Sequence, residues 1–84
     1  MKQDQPTSVW LQPANVIAVK TAEGQGEPIW VNARQFWRRV LGVTCGVKRV
    51  TVSFRLRSAE LVRRQTVTLD KIRIGQPPAG VDAR

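Results

Sequence analysis

Residues 27–42 carry the most specific local signal in the chain, a set of capping residues around an amphipathic segment. Asn32 is a favourable N-cap because its side-chain oxygen can accept a hydrogen bond from a free backbone N–H of the first helical turn. Gln35 completes a capping box three residues later, and Gly42 is placed to end a helix. The apolar residues between the caps fall on one helical stripe, which comprises Ala33, Phe36, Trp37, Val40 and Leu41. We therefore predict one amphipathic helix over residues 33–41.

Segments of strand length lie on both sides of this predicted helix. Residues 15–21 are rich in β-branched side chains, and residues 29–31 form a second short apolar run after a glycine-bearing loop. Residues 50–57 show the cleanest alternation in the chain, with polar or cationic side chains between apolar ones. The apolar face of this strand comprises Val50, Val52, Phe54 and Leu56. We predict that this face belongs to the core and that the cationic face is exposed.

The segment after residue 57 permits two interpretations. In the first, residues 61–69 return as an antiparallel strand, with a break near Asp70 and a last short strand at Ile72 and Ile74. In the second, Ser58 is the N-cap of a short helix over residues 59–65. The sequence leaves both open.

These elements predict an α+β fold with the order β-β-α-β-β. The expected architecture is a small twisted antiparallel sheet or partly open barrel of four to five strands, with one short helix packed on it. Residues 9–75 are expected to form a single globular domain, between flexible tails at residues 1–8 and 76–84. The predicted core comprises Val16, Ile17, Val19, Ile29, Val31, Phe36, Val40, Leu41, Val50, Val52, Phe54, Leu56, Val67 and Leu69.

The composition argues against several classes of protein. There is no His and only one Cys, so neither a zinc cluster nor an internal disulfide is expected. Cys45 has no His to act as its base, and no pair of carboxylates shares a setting, so we expect no enzyme, no catalytic residue and no cofactor. No apolar run is long enough to span a membrane, and residues 1–8 do not resemble a signal peptide. A cytoplasmic location is therefore the default expectation.

The charge indicates the kind of partner. Fourteen Lys and Arg against six Asp and Glu give a net charge of +8. We predict that the exposed face of the strand at residues 50–57 and its return strand bind the phosphate backbone of DNA or RNA. The candidate residues are Arg49, Arg55, Arg57, Arg63 and Arg64, supported by Lys48 and, on the predicted helix, by Arg34 and Arg38. The same side chains also satisfy the rule that solvent faces and edge strands carry charge.

The tryptophans leave a protein partner open. Trp37 lies on the predicted helical stripe and is expected in the core. Trp30 faces away from Ile29 and Val31, where it is either partly buried or available to stack on a base or anchor an interface. Trp10 is undecided between capping the sheet and an interface. The alternative function is a small adaptor or inhibitor that docks an acidic protein surface, and a homo-oligomer is compatible with both functions.

Overall fold

The chain forms one helix followed by five strands in the computed structural model, which describes residues 10–55 and 61–83. The elements are α1 (Val16–Gly24), β1 (Ile29–Ala33), β2 (Phe36–Cys45), β3 (Val50–Arg55), β4 (Val62–Val67) and β5 (Ile72–Ile74), with a 3-10 turn at Leu69–Lys71. The strands are antiparallel and form one open sheet in the order β4-β3-β2-β1-β5. The α+β class is confirmed, but the order β-β-α-β-β is wrong because the helix precedes all the strands.

The helix lies where the sequence predicted a strand. Asn15 is its N-cap, and its side-chain Oδ1 accepts the backbone N–H of Ala18 at 3.0 Å. Val19 and Ala22 are three residues apart on one helical face, and both are buried. Ile17 points the other way and is 70% exposed, so its predicted place in the core is wrong. The apolar run at residues 16–19 therefore has helical periodicity, with one side in water.

The predicted helix at residues 33–41 is instead a β-hairpin. Arg34 and Gln35 have φ values of 55° and 72°, and two successive positive φ values are what a two-residue type I′ turn requires. Ala33 pairs with Phe36 across this turn. On a strand, neighbouring residues point to opposite faces, and Leu41 is accordingly 54% exposed rather than part of the core. Pairing with two flanking strands stabilises this segment more than the caps at residues 32 and 35 stabilise an isolated helix.

The strand predictions for the second half of the chain are confirmed. Val50, Val52 and Phe54 are fully buried along β3, as the alternation predicted. The return strand is β4, so the helix interpretation of residues 59–65 is wrong over residues 62–65. The predicted turn at residues 58–60, Leu56 and Arg57 lie outside the described residues.

The sheet is strongly curled. Its two edge strands, β4 and β5, are joined by a short segment that contains the 3-10 turn. Four residues separate Val67 of β4 from Ile72 of β5, three of them in the 3-10 turn, and a link of that length spans less than the roughly 19 Å between the edges of a flat five-stranded sheet. Ile72 is completely buried, although the predicted core does not include it, because the alternation of apolar residues breaks just before it. The concave face of the curled sheet therefore contains the core.

A break in β2 divides this sheet into two ladders. Residues 36–39 of β2 pair with β1, and residues 40–45 pair with β3, with a register shift between Val40 and Gly42. The helix covers one end of the concave face, where the Cys45 thiol donates to the carbonyl oxygen of Val16 at 3.6 Å. The other end, near the Arg34–Gln35 turn, is not covered by α1.

Chain segments outside the five strands extend the sheet. Leu11 and Ile74 exchange two backbone hydrogen bonds of 2.9 Å. Near the C-terminus, the backbone N–H of Trp37 donates to the backbone carbonyl of Asp82 at 3.4 Å, and Trp37 forms an isolated parallel β-bridge with Ala83. The predicted N-terminal tail lies outside the described residues. The helix α1 is nine residues long, and no helix in the described ranges has the length and apolarity of a membrane span.

Replacing Gln35 with Gly should stabilise the protein, because Gly adopts the left-handed conformation of residue 35 without a steric penalty. We expect a gain of about 1 kcal/mol, which corresponds to a rise in Tm of about 4–8 °C for a domain of this size. Thermal unfolding followed by circular dichroism measures it. Gln25→Gly is the matched control, because residue 25 has a φ of −91° and should show no gain. Equal Tm changes in the two variants would contradict the turn assignment.

Candidate functional site

The arginines of β4 point to opposite faces of the sheet. Phe54 of β3 pairs with Arg63, and Ser53 pairs with Arg64. Directly paired residues of an antiparallel ladder share a face, so Arg63 lies on the concave face with buried Phe54, whereas Arg64 lies on the convex face. Arg55 is exposed and shares the convex face with Arg64. The hypothesis of one continuous arginine face is therefore wrong for Arg63, whereas Arg64 and Arg55 share one face as it required. Arg57 lies outside the described residues.

The concave face contains a basic groove at the end that α1 leaves open. Its volume is about 1200 Å³. The cationic residues that line it are Arg34, Arg38, Arg49, Arg63 and Lys71, and no Asp or Glu of the described residues lines it. Arg34 and Arg38 belong to one hairpin, whereas Arg49, Arg63 and Lys71 come from other parts of the chain and line the same groove because the sheet is curled. We call this site the basic groove.

Each cation of the basic groove is positioned by a different local structure. Arg34 occupies the turn between β1 and β2, and Arg63 projects from the edge strand β4. Arg49 precedes β3, and Lys71 belongs to the 3-10 turn that links the two edges of the sheet. Both lie in exposed positions. The groove thus has cations on several sides rather than a single row.

Arg38 is the one buried cation of the basic groove. Only 9% of its surface is exposed, and on β2 it pairs with fully buried Val31. Its guanidinium carbon lies 5.7 Å from the centre of the Phe36 ring, a distance typical of a cation–π contact. The described part of the chain supplies no carboxylate to pair with it in the groove. An anion that enters the groove can therefore pair with this guanidinium without displacing a carboxylate of the described residues.

Asp70 belongs to the same 3-10 turn as Lys71, and its carboxylate accepts a hydrogen bond from neighbouring Thr68. The Thr68 hydroxyl donates a hydrogen bond to its carboxylate and lowers its pKa, and the charges of Lys71 and Arg73 lower the pKa further. Asp70 therefore stays ionised at neutral pH. Arg73 in turn donates to the Asp70 backbone carbonyl at 3.0 Å. Asp70 is not among the residues that line the basic groove.

The remaining predicted cation, Lys48, lies beside the groove rather than in it. Lys48 and Arg49 line a second, smaller cleft of about 440 Å³ at the connection between β2 and β3, together with Thr44. Because Arg49 lines both sites, this cleft continues the positive surface of the basic groove.

The tryptophans are engaged within the fold. Trp30 is buried, with 9% of its surface exposed, and its indole N–H donates to the Gly75 carbonyl at 2.9 Å. Trp37 lies on β2 and is half-buried, rather than on the core face of a helix. The centres of the Trp37 and Trp10 rings are 4.9 Å apart, and the ring planes meet at 70°. The Arg73 guanidinium lies over Trp37 at 5.2 Å. The indole nitrogen of Trp10 is buried without a hydrogen-bond partner within the described ranges.

Several residues of the basic groove were not predicted from the sequence. They are Lys71, Phe36, Gln35 and Gln65. One signal was available: Val67 is apolar, and an alternation that buries it also places Gln65 and Arg63 on the inner face. For the others, no signal existed because their approach depends on the curl of the sheet. Within the described residues, no group of His, Cys, Asp and Glu has the arrangement of a metal site.

Replacing Arg38 with Met should raise the stability of the ligand-free protein, because a largely buried side chain that carries a charge, with no carboxylate among the described groove residues, is exchanged for an apolar chain of similar length. We expect a gain of about 1 kcal/mol, or about 4–8 °C in Tm. Inorganic phosphate should raise the Tm of the wild type more than that of Arg38→Met, each relative to sodium chloride of equal ionic strength, because phosphate stabilises folded proteins in general but only the wild type has the Arg38 cation. A lower Tm for the variant without phosphate would contradict an uncompensated charge.

Comparison with protein-family models, with curated proteins and with solved structures found no significant match. No activity or ligand can therefore be carried over from a relative. The chemistry of the basic groove is the basis for the function proposed below.

Proposed function

We propose that this protein is a non-enzymatic, cytoplasmic nucleic-acid-binding module whose basic groove holds the phosphate backbone. The observation that supports this proposal is the lining of the groove, where five cationic side chains meet without an acidic one among the described residues. Four of the five are Arg, whose planar guanidinium donates paired hydrogen bonds to phosphate oxygens. The site is thus suited to an anion with several negative groups.

The size of the groove favours a polymer over a small metabolite. Its volume of about 1200 Å³ exceeds the roughly 300–1,000 Å³ of ordinary small-molecule sites. Nucleic acids carry regularly spaced phosphates, and each one neutralised by Arg or Lys releases counterions into solution. The net charge of +8 would also attract a polyanion from a distance. Binding of this kind depends little on base sequence.

Two neighbouring arginines provide a matched test. Arg63→Gln removes a cation of the basic groove, whereas Arg64→Gln removes the same charge from the convex face. Binding to labelled DNA and RNA oligonucleotides, measured by fluorescence anisotropy, should weaken roughly tenfold for Arg63→Gln and much less for Arg64→Gln. The wild-type affinity should fall steeply between about 50 and 200 mM salt, and Arg63→Gln should reduce that slope by roughly 0.7–0.9.

Three results would count against the proposal. Equal losses in the two variants would mean that only net charge matters, and binding insensitive to salt would exclude phosphate contacts. Poly-glutamate that competes as well as an oligonucleotide of equal charge would favour the alternative, an acidic protein partner.

A further inference from the structure

The basic groove has a planar, apolar side chain among its cations. Phe36 begins β2 directly after the Arg34–Gln35 turn, lines the groove and is half-buried. It pairs with Ala33 and shares the concave face with Arg38, whose guanidinium lies over its ring at 5.7 Å. The ring and the guanidinium that lies over it are both flat groups, and a nucleic-acid base can stack against such groups.

The groove also carries neutral groups that can bond to base edges. Gln35 occupies the turn, and Gln65 pairs with buried Val52 on the concave side of β4. Each amide has both a donor and an acceptor, which is the combination that base edges present. Contacts to phosphates alone would leave the Phe36 ring unused.

The depth of Arg38 distinguishes between two forms of nucleic acid. A double helix holds its phosphates on a stiff outer surface and hides its base faces within the stack. A single strand is flexible and exposes both phosphates and base faces. A single strand can follow the wall of the curled groove and bring a phosphate to Arg38, and its unstacked bases can reach Phe36.

We propose that the basic groove binds single-stranded nucleic acid, with one phosphate on Arg38 and a neighbouring base stacked at Phe36. This inference rests on the proposed function and specifies its ligand. The phosphate pairs with the Arg38 guanidinium, for which the described groove residues supply no carboxylate, and the base covers the apolar ring of Phe36.

The first experiment compares ligands on the wild-type protein. Fluorescence anisotropy is measured with a single-stranded oligonucleotide of about 12 nucleotides, a length within the range of other single-strand sites. The same strand in a duplex and an abasic strand of equal charge are measured in parallel. We expect the single strand to bind at least about tenfold more tightly than either comparison ligand. A duplex that binds more tightly, with Arg63 still required, would overturn this inference and leave the proposed function standing.

The second experiment removes the aromatic ring. Phe36→Leu should weaken single-strand binding by roughly five- to a hundredfold and leave binding to the abasic strand unchanged. Phe36→Tyr keeps the ring and should retain the affinity. Trp37→Leu is the matched control, because Trp37 follows Phe36 in β2 but faces the opposite side of the sheet, outside the basic groove. Circular dichroism confirms that each variant is folded at the temperature of measurement.

The outcomes separate the two proposals. Equal losses on normal and abasic strands in Phe36→Leu would exclude base stacking at this position. Loss of binding in Phe36→Tyr as well would mean that the fold of the hairpin, rather than the ring, is what matters, and would also overturn the inference. If no oligonucleotide binds more tightly than poly-glutamate, both this inference and the proposed function fail.

Discussion

The fold depends on the membership of β2 in two ladders. Its first four residues pair with β1 and the rest pair with β3, with a register shift at Gly42 between the two sets. A bulge of this kind increases the local twist and bends the strand. The bend allows the outer strands to approach each other across the concave face, so that Val67 and Ile72 enter one core. A straight β2 would leave these edges apart and the core open to water.

The same curvature places the basic groove beside the core. Arg38 and Val31 are paired neighbours on one face, and Val31 is fully buried while the Arg38 side chain reaches the groove. The protein therefore holds a cation at the boundary between its apolar interior and a site that no acidic residue of the described ranges lines. In a domain of 84 residues, whose total stability is small, an anionic ligand would have a measurable stabilising effect.

The convex face is organised differently. There the cations contact aromatic rings, with Arg39 5.7 Å from Trp30 and Arg73 5.2 Å from Trp37. Trp30 is also tied to Gly75 by its indole N–H. In the basic groove, Arg38 makes the same kind of contact with Phe36, whereas Arg34, Arg49, Arg63 and Lys71 lie exposed along a groove that no acidic residue of the described ranges lines. Net charge and arginine number alone do not distinguish these two groups.

Elements set by a local pattern of residues could be predicted from the sequence, whereas elements set by pairing between distant residues could not. The alternation of residues 50–57 predicted β3 and its buried face, because a period of two sustained over several residues is typical of a half-buried strand. Asn32 and Gly42 are typical of the start and end of a helix, yet they lie in β1 and β2. Pairing of β2 with β1 and β3 stabilises the segment more than local capping would. The apolar residues at positions 16–19 were assigned to a strand because four residues in a row do not reveal whether the period is two or 3.6.

By itself, the sequence determined the strand at residues 50–55 with its buried face, and an excess of cations over acidic residues. Only the tertiary structure decided which of those cations line one groove. Arg63 and Arg64 are adjacent in sequence and lie on opposite faces, whereas Arg38, Arg63 and Lys71 come from different elements and share one groove. The reason is physical: a pleated strand separates neighbours, and the curl of a sheet brings together residues whose distance along the chain carries no information about their distance in space.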